Sequence, residues 1–455
     1  MRRFVAVASY EVRRLVRDRA LLVLLVLLSC FGCYAGWNGA NWVKERETAI
    51  ELVRNQEQLA MVKRRQFVAQ SYPSVILPSI QPVLRPGAMG VISVGQAEAY
   101  PYVAEVSPLG DYSDLFRGGW ADIANPDVRA AGPFDLAFVI VFLLPLVILA
   151  TSYDLWSRER ESGVAALILS QPVTIAELIA AKVLARGGVV LLPSTVMLLS
   201  VSILAGARDM MGLLALAFVV LAYGCFWLAI SVLINLVISR STAAAIASGV
   251  AWLVMVVMAP SLALAAVDLA MPAPARLSFA TELKAQKSAM TEVQHHYRDS
   301  HSTPERKPGS RIPDRLRDLY ANRVAQDKGI APLIAAHRRA ESERRHALDW
   351  VRLWLPSVAV QDALDRIAGS DADRALAFEK QAREAQLHLR HRYKDYLDRD
   401  TVVTLAEYDA VPSFYFREAT EVFADKTLAD LASVLTATAL ILLAARTLCG
   451  RAATP

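Results

Sequence analysis

Long runs of apolar residues alternate along this chain with long stretches that are as rich in charge as a soluble protein. A helix needs about 20 consecutive apolar residues to cross the hydrocarbon core of a bilayer. Six runs approach or exceed that length, so the pattern predicts an α-helical polytopic membrane protein with six transmembrane helices. The predicted spans, numbered 1 to 6 in chain order, cover residues 20–40, 134–155, 174–205, 213–238, 243–266 and 428–446.

Two polar stretches between the spans are large enough to fold as domains. Residues 41–133 begin with a helix-favouring segment and continue into a region rich in Pro and Gly, with strand-like pieces such as 91–94, which predicts a mixed domain. Residues 267–427 carry long charged segments with helical periodicity, which predicts a helical domain. Since each follows an odd-numbered span, both are expected on the same, exoplasmic side of the membrane.

Arginine residues determine the expected orientation. They cluster in residues 1–19, in the loop after span 2, just after span 4 and after span 6. The positive-inside rule places such clusters in the cytoplasm, so both termini are expected there, with residues 447–455 as a short tail. Residues 1–19 are predicted to form an amphipathic helix in the cytoplasmic interface, although Glu11 lies within its apolar sector.

Composition narrows the range of partners. The chain has 455 residues, 55% of them hydrophobic, and a formal net charge of +5. Most of that positive charge comes from arginines at the membrane edges, where the lipid bilayer is the expected partner. No basic patch interleaved with aromatic residues supports binding to nucleic acid. The four cysteines lie in or beside predicted spans, so no disulfide is expected in the exoplasmic domains.

The cytoplasmic loop between spans 2 and 3, residues 156–173, combines charge with a short apolar helix. A charged run ends at Ser162-Gly163, an apolar segment follows, and Pro172 ends that segment before span 3 begins. The loop is too short to cross the bilayer and is predicted to present a small interfacial helix to a cytosolic partner. The alternative is an ordinary loop whose charges anchor two spans at the lipid headgroups.

This loop resembles the signature of ABC-2 type transporter permeases. The resemblance rests on Glu159-Arg160-Glu161-Ser162-Gly163, on Ser170-Gln171-Pro172-Val173-Thr174 and on Lys182, while Val164 and Ala181 depart from the usual Thr and Gly. In that family the segment is the coupling helix, which docks onto a separate ATP-hydrolysing subunit. The resemblance implies that Glu159 and Glu161 present their charges to that subunit. It assigns coupling to Arg158, Glu159, Arg160, Glu161, Gly163, Gln171, Pro172 and Lys182.

Segments in both insertions extend the resemblance to most of the chain. They include Ser93-Val94-Gly95-Gln96 in the first insertion and Trp354-Leu355-Pro356-Ser357 in the second. These segments are similar to those of a subgroup of the family with two large exoplasmic insertions. The family implies a dimer of permeases on two ATPase subunits. ABC ATPase subunits and a second permease copy, identical or similar, are therefore the expected protein partners.

Candidate chemistry within the chain itself is sparse. No Gly-x-x-x-x-Gly-Lys-Ser/Thr motif is present to bind ATP phosphates, so no cofactor is expected in this chain, with ATP and Mg²⁺ bound by the partner ATPase. All seven histidines lie in the second insertion. His388 and His391 are spaced to share a helix face and could bind a transition metal. Neighbouring arginines favour a solvated helical face instead, so no metal site is predicted.

Together these features predict a non-catalytic permease subunit of an ABC exporter in the inner membrane of a bacterium. It would couple ATP hydrolysis by a separate subunit to transport. One alternative is an ATP-driven transmitter of motion to exoplasmic partners. A membrane-embedded hydrolase and a receptor or scaffold without transport are the alternatives from other classes, although no hydrolase motif occurs in a recognisable context.

Overall fold

The computed structural model describes residues 2–70, 75–111, 115–116, 134–171, 174–272, 276–300, 309–418 and 420–449. Within this part of the chain the regular structure is helical, and β-pairing is limited to two isolated antiparallel bridges, Ile80–Val106 and Val83–Val103. Six of the described helices are long and apolar enough to cross a membrane. This confirms the predicted α-helical polytopic architecture.

The helices follow the chain in three groups. The first group consists of α1 (Arg2–Val16), α2 (Arg19–Ala69) and α3, which comprises Leu136–Phe138 and Leu144–Ser152 with π-helical Val139–Leu143 between them. The second group consists of α4 (Ser157–Glu161), α5 (Val164–Leu169), α6 (Ile175–Leu204), α7 (Met210–Val237) and α8 (Ser241–Ala270), in which Leu253–Met258 is π-helical. The third group consists of α9 (Arg276–Ser300), α10 (Asp314–Trp354), α11 (Pro356–Ala368), α12 (Ala372–Arg399), α13 (Leu405–Asp409) and α14 (Thr420–Cys449).

The longest helix, α2, does not end at the membrane surface. It has 51 residues and is therefore about 76 Å long, whereas the hydrocarbon core is only about 30 Å thick. Two glycines let other parts of the chain pack closely against α2. A Cβ on Gly36 would lie 2.4 Å from Val201 Cγ1, and one on Gly39 would lie 2.2 Å from the Val91 carbonyl oxygen. Span 1 and the helical start of the first insertion, predicted as separate units, are one continuous rod.

The rest of the described first insertion is irregular. The strand predicted at 91–94 is wrong, because these residues form turns in which the Ile92 N–H donates to the Met89 carbonyl at 3.0 Å. Val91, Ile92 and Val94 are all buried. A segment that is buried on every side shows no alternation of apolar and polar residues. Its composition alone therefore does not distinguish a strand from other buried backbone.

The two insertions share a hydrophobic core outside the membrane. Ile80, Val106 and Leu115 of the first insertion pack with Phe378 and Leu389 of α12. Burial of this kind stabilises the exoplasmic part without a disulfide, since the four cysteines of the chain are free. The first insertion and α12 therefore form one packed unit.

One segment of the second insertion enters the helix bundle. The apolar face of α11, which includes Ala359 and Leu364, belongs to the same buried core as the spans. The Ser357 hydroxyl donates to the Met255 carbonyl of α8 at 2.8 Å. Residues 267–427 were predicted as an exoplasmic domain, and within this range α11 packs with the spans.

Candidate functional site

The loop between spans 2 and 3, defined here as residues 153–171, is built from two short helices that meet at a glycine. Helix α4 carries the charged run and α5 the apolar segment. Gly163 joins them in the left-handed region with φ of 74°, which residues other than glycine rarely adopt. A Cβ at this position would meet nothing within 4 Å, so backbone conformation rather than packing favours glycine here. The glycine lets the chain reverse direction sharply between α4 and α5.

Helix α7 holds the start of this loop in place. The side-chain oxygen of Asn235 accepts hydrogen bonds from the backbone N–H groups of Trp156 and Ser157, at 3.0 and 3.1 Å. These bonds satisfy donors at the start of α4 that have no partner within the helix. The Arg160 guanidinium donates to the Leu236 carbonyl at 3.1 Å. The loop is therefore fixed to the cytoplasmic end of α7 at two points.

Helix α6 holds the loop through Lys182. Its ammonium group donates to the Leu155 carbonyl at 3.0 Å and forms a short ion pair with the Glu159 carboxylate. The Lys182 side chain is only 6% exposed and that of Glu159 only 17%. Glu159 is thus turned toward α6 in the chain alone, and its contact with a cytosolic partner stays a prediction.

Glu161 connects the loop to a third span. Its carboxylate accepts a hydrogen bond from the Ser241 backbone N–H at 2.9 Å and another from the Ser241 hydroxyl. Ser241 is the first residue of α8, where unpaired backbone N–H groups favour a negative charge. Glu161 remains exposed, but its charge also serves to cap the helix of span 5.

The exposed surface of the loop includes two large apolar side chains. Leu167 is 69% exposed and Val164 is 44% exposed. The polar residues around them, Arg158, Ser162 and Gln171, are exposed as well. Pro172 was predicted to belong to this site, but it lies outside the described residues. We name the surface formed by Val164, Leu167 and Gln171 the docking face.

A buried ionic cluster beside the loop was not predicted as a site. The Arg186 guanidinium of α6 donates to Glu11 of α1 at 2.9 and 3.1 Å and to Asp154 at 2.9 Å. The side chains of Arg186 and Glu11 are 2% and 3% exposed. The sequence did contain a signal of this cluster, because Glu11 interrupts an apolar helix face and Arg186 interrupts an apolar run. A charge buried among apolar residues is stable only when an opposite charge pairs with it.

The described histidine side chains of the second insertion do not converge on a cluster. His388 and His391 both lie on α12 and both are exposed. Within the described ranges, no group of three His, Cys, Asp or Glu side chains is placed to hold a metal ion. The side chains of His295 and His296, and the whole of His301, lie outside the part that the structure describes.

Comparison with known proteins identifies the family. The model of the ABC-2 family transporter protein matches residues 5–387, which include the loop, the docking face and five of the six spans. No curated protein matches the chain. The resemblance recognised in the loop is therefore confirmed over most of the sequence. The chain belongs to the ABC-2 family of transporter proteins.

Proposed function

We propose that this chain is the permease subunit of an ABC exporter and that its docking face binds a separate ATPase subunit. Membership of the family makes the chain a membrane permease component of an ABC transporter, and the family implies an ABC ATPase partner. Docking through residues 153–171 and outward transport are the finer parts of the proposal. ATP and Mg²⁺ would be bound by the partner.

The observation that carries the proposal is the exposed apolar centre of the docking face. A contiguous apolar patch on a surface that faces water commonly marks a site of protein–protein contact. The exposure of Leu167 and Val164, with polar residues around them, matches the arrangement of protein interfaces, where an apolar centre is surrounded by a polar rim. A groove on a cytosolic subunit fits this surface.

The contacts of the loop suggest how a movement of the ATPase would reach the membrane. Lys182, Asn235 and Ser241 connect the loop to α6, α7 and α8 respectively. A displacement of the docking face would therefore act on three spans together. In this mechanism ATP binding to the partner favours one of two permease conformations because the partner binds that conformation more tightly.

The remaining parts of the proposal concern assembly and location. In the most apolar stretch of Ser241–Ala270, only 11% of the residues are buried within the chain. This leaves a face of α8 open to a second permease copy, identical or similar. The arginine distribution supports cytoplasmic termini in a bacterial inner membrane. The family is typically non-catalytic, which favours transport over a hydrolase or a receptor.

One observation favours the second candidate function, in which the chain transmits ATP-driven motion to exoplasmic partners. Helix α2 runs without interruption from Arg19 at the cytoplasmic side to Ala69 in the exoplasmic part. A rigid helix of this length would move its outer end whenever its inner end tilts. Such motion could act on a partner outside the membrane with no substrate crossing the bilayer.

The docking proposal is tested by Leu167→Asp. Burial of a leucine side chain contributes roughly 1.5–3 kcal/mol, so we expect the affinity for the ATPase to fall about tenfold or more. The measurement is copurification of the ATPase together with its stimulated ATP hydrolysis. Leu387→Asp, at an exposed leucine of exoplasmic α12, is the matched control and should change neither. Equal binding by both variants would contradict docking through this face.

A further inference from the structure

Two buried aspartates lie where the first insertion, span 2 and α11 join. Asp135 immediately precedes α3 and Asp365 lies on α11, and the two residues are 2% and 4% exposed. Between them lies Ser93 of the first insertion, which is fully buried. We name Asp135, Ser93 and Asp365 the aspartate junction. Segments that are distant in sequence therefore meet at two carboxyl groups and one hydroxyl.

The Ser93 hydroxyl contacts both carboxyl groups. Its oxygen lies 2.6 Å from Asp365 Oδ1 and 3.4 Å from Asp135 Oδ2. A serine hydroxyl has a single proton to donate, so only one of these contacts can be a hydrogen bond when both carboxyls are ionised. When Asp365 carries a proton, it donates to Ser93 and Ser93 donates to Asp135. One proton on the junction therefore makes both contacts hydrogen bonds.

The negative charge that remains is best placed on Asp135. Its carboxylate accepts hydrogen bonds from the backbone N–H groups of Phe138 at 2.9 Å and Val94 at 3.0 Å. It also lies at the N-terminus of α3, where unpaired N–H groups favour an anion. The Asp365 carboxyl lies within a helix and accepts from no backbone N–H of the described residues. Asp365 is therefore the member that holds the proton.

No cation among the described residues pairs with either aspartate. Arg366 of α11 and Arg352 of α10 both pair with Asp430 of α14 instead. Of the other elements packed on α11, α7 and residues 89–97 carry no charged side chain, and α8 carries only Asp268, which pairs with Arg344. The charged groups around Asp365 are Asp135, Arg352, Asp362, Arg366, Asp371 and Asp430.

Asp365 is also accessible to protons from solution. It lines a cavity of about 1170 Å³ between α8 and helices α9 to α12, and Gln96 in the same wall is exposed. Burial, followed by the charges of Asp362 and Asp135, raises the pKa of the Asp365 carboxyl to about 7. A proton can therefore reach this carboxyl from the insertions and leave it again near neutral pH.

We propose that the aspartate junction binds one proton and that this proton holds α11 against span 2 and the first insertion. Loss of the proton leaves two buried carboxylates with one hydroxyl between them, and their repulsion weakens the junction. This inference goes beyond the proposed function, because it concerns the chain with no ATPase present. Failure of ATPase docking and failure of proton binding are therefore separate results.

The direction of the pH effect follows from the raised pKa of Asp365. The folded chain binds the proton more tightly than the unfolded chain does, so the stabilisation is complete below about pH 4, the ordinary pKa of an aspartate. It is lost as the pH rises to about 7 and beyond. The junction is thus stable in acid and weakened in mild alkali.

Infrared spectroscopy of the purified full chain in lipid nanodiscs tests the proton directly, because a protonated carboxyl and a carboxylate absorb at different frequencies. We expect a protonated-carboxyl band that disappears with a midpoint near the pKa of Asp365 and is missing from Asp365→Asn. Asp400→Asn is the matched control and should retain the band, because the Arg311 N–H and the Ser310 hydroxyl lower the pKa of Asp400 to about 2. A spectrum that Asp365→Asn leaves unchanged would overturn the proposal.

Thermal unfolding of the same samples tests what the proton does. Asparagine resembles a protonated aspartate, so Asp365→Asn should melt roughly 3 °C above the parent at about pH 8.5 and no higher than the parent at about pH 5. Asp400→Asn should melt below the parent at both values. An Asp365→Asn chain that gains nothing in alkali would show that the proton does not hold the junction.

A second variant keeps the test decisive if Asp365→Asn fails to fold. Asp135→Asn removes a negative charge that opposes ionisation of Asp365, so the infrared band should be lost at a pH about one unit lower than in the parent. An unchanged midpoint would show that the two carboxyls do not share the proton and would overturn the proposal.

Discussion

Charged side chains with little exposure lie at both ends of the spans. At one end Lys182 meets Glu159, and at the other end Arg366 meets Asp430, whose side chains are 4% and 1% exposed. Removal of one partner from such a pair leaves an unpaired buried charge, which is much more costly than loss of the attraction alone. These pairs therefore fix which helices lie side by side where the bilayer ends.

The Glu159–Lys182 pair yields a prediction that separates structure from docking. Glu159→Lys would place two ammonium groups together in a largely buried site and should destabilise the chain by about 3 kcal/mol or more. The exchanged pair Glu159→Lys, Lys182→Glu should recover much of that loss, since opposite charges face each other again. Thermal unfolding of the purified variants measures both effects.

One outcome of these unfolding measurements would contradict a stabilising role for the Glu159–Lys182 pair. If Glu159→Lys unfolds like the parent and the double variant behaves no differently, the two side chains do not stabilise each other. A variant of this kind that still failed to bind the ATPase would place Glu159 in contact with the ATPase.

At the scale of helices, local sequence patterns predicted that a helix exists and roughly where it lies better than they predicted where it ends. The run 213–238 matches Met210–Val237 closely, because a span packed inside a membrane bundle is apolar on nearly all sides. Span 1 was predicted to end at residue 40, but the helix does not end there. The polar residues that follow still favour helix, and α2 continues to Ala69. Hydropathy marks where lipid ends, whereas helix propensity and packing determine where the helix ends.

The loop shows why the candidate site could be located from sequence but not described. Its charge run, its glycine and its apolar segment are local signals, and they predicted the short helix α5 but not α4. The partners that orient its side chains are distant in sequence, since Asn235 lies 79 residues from Trp156. No periodicity in residues 156–173 reports such contacts, so the inward turn of Glu159 required the fold.

The contact between α1 and α6 gives a prediction at the scale of elements. Glu11→Gln would remove one of the two carboxylates paired with buried Arg186, the one that lies on α1, so we expect α1 to detach more often from α6 and to exchange its amide hydrogens faster. Hydrogen–deuterium exchange across residues 4–15 measures this. Arg13→Gln, an exposed change on the same helix, should leave exchange unchanged. Unaltered exchange in Glu11→Gln would show that apolar packing alone holds α1.

For the molecule as a whole, the ionic contacts and α2 connect the cytoplasmic and exoplasmic sides. The docking face is tied to α6, α7 and α8, and α6 packs closely on α2 at Gly36. The outer half of α2 contacts the second insertion, where Arg65 pairs with Asp409 at 2.9 Å. A tilt that begins at the loop would therefore reach both insertions through rigid helices, whether the result is transport or motion.

This arrangement requires one orientation of the chain, which thiol labelling can test. Gln58 lies about 58 Å along α2 from Arg19, far more than the hydrocarbon thickness, and Ser162 lies in the cytoplasmic loop; both are exposed. In a chain freed of its own cysteines, Gln58→Cys should react with a membrane-impermeant maleimide in intact cells. Ser162→Cys should react only after permeabilisation, because the arginines beside it hold the loop in the cytoplasm. Labelling of Ser162→Cys from outside would reverse the topology and remove the docking face from any cytosolic ATPase.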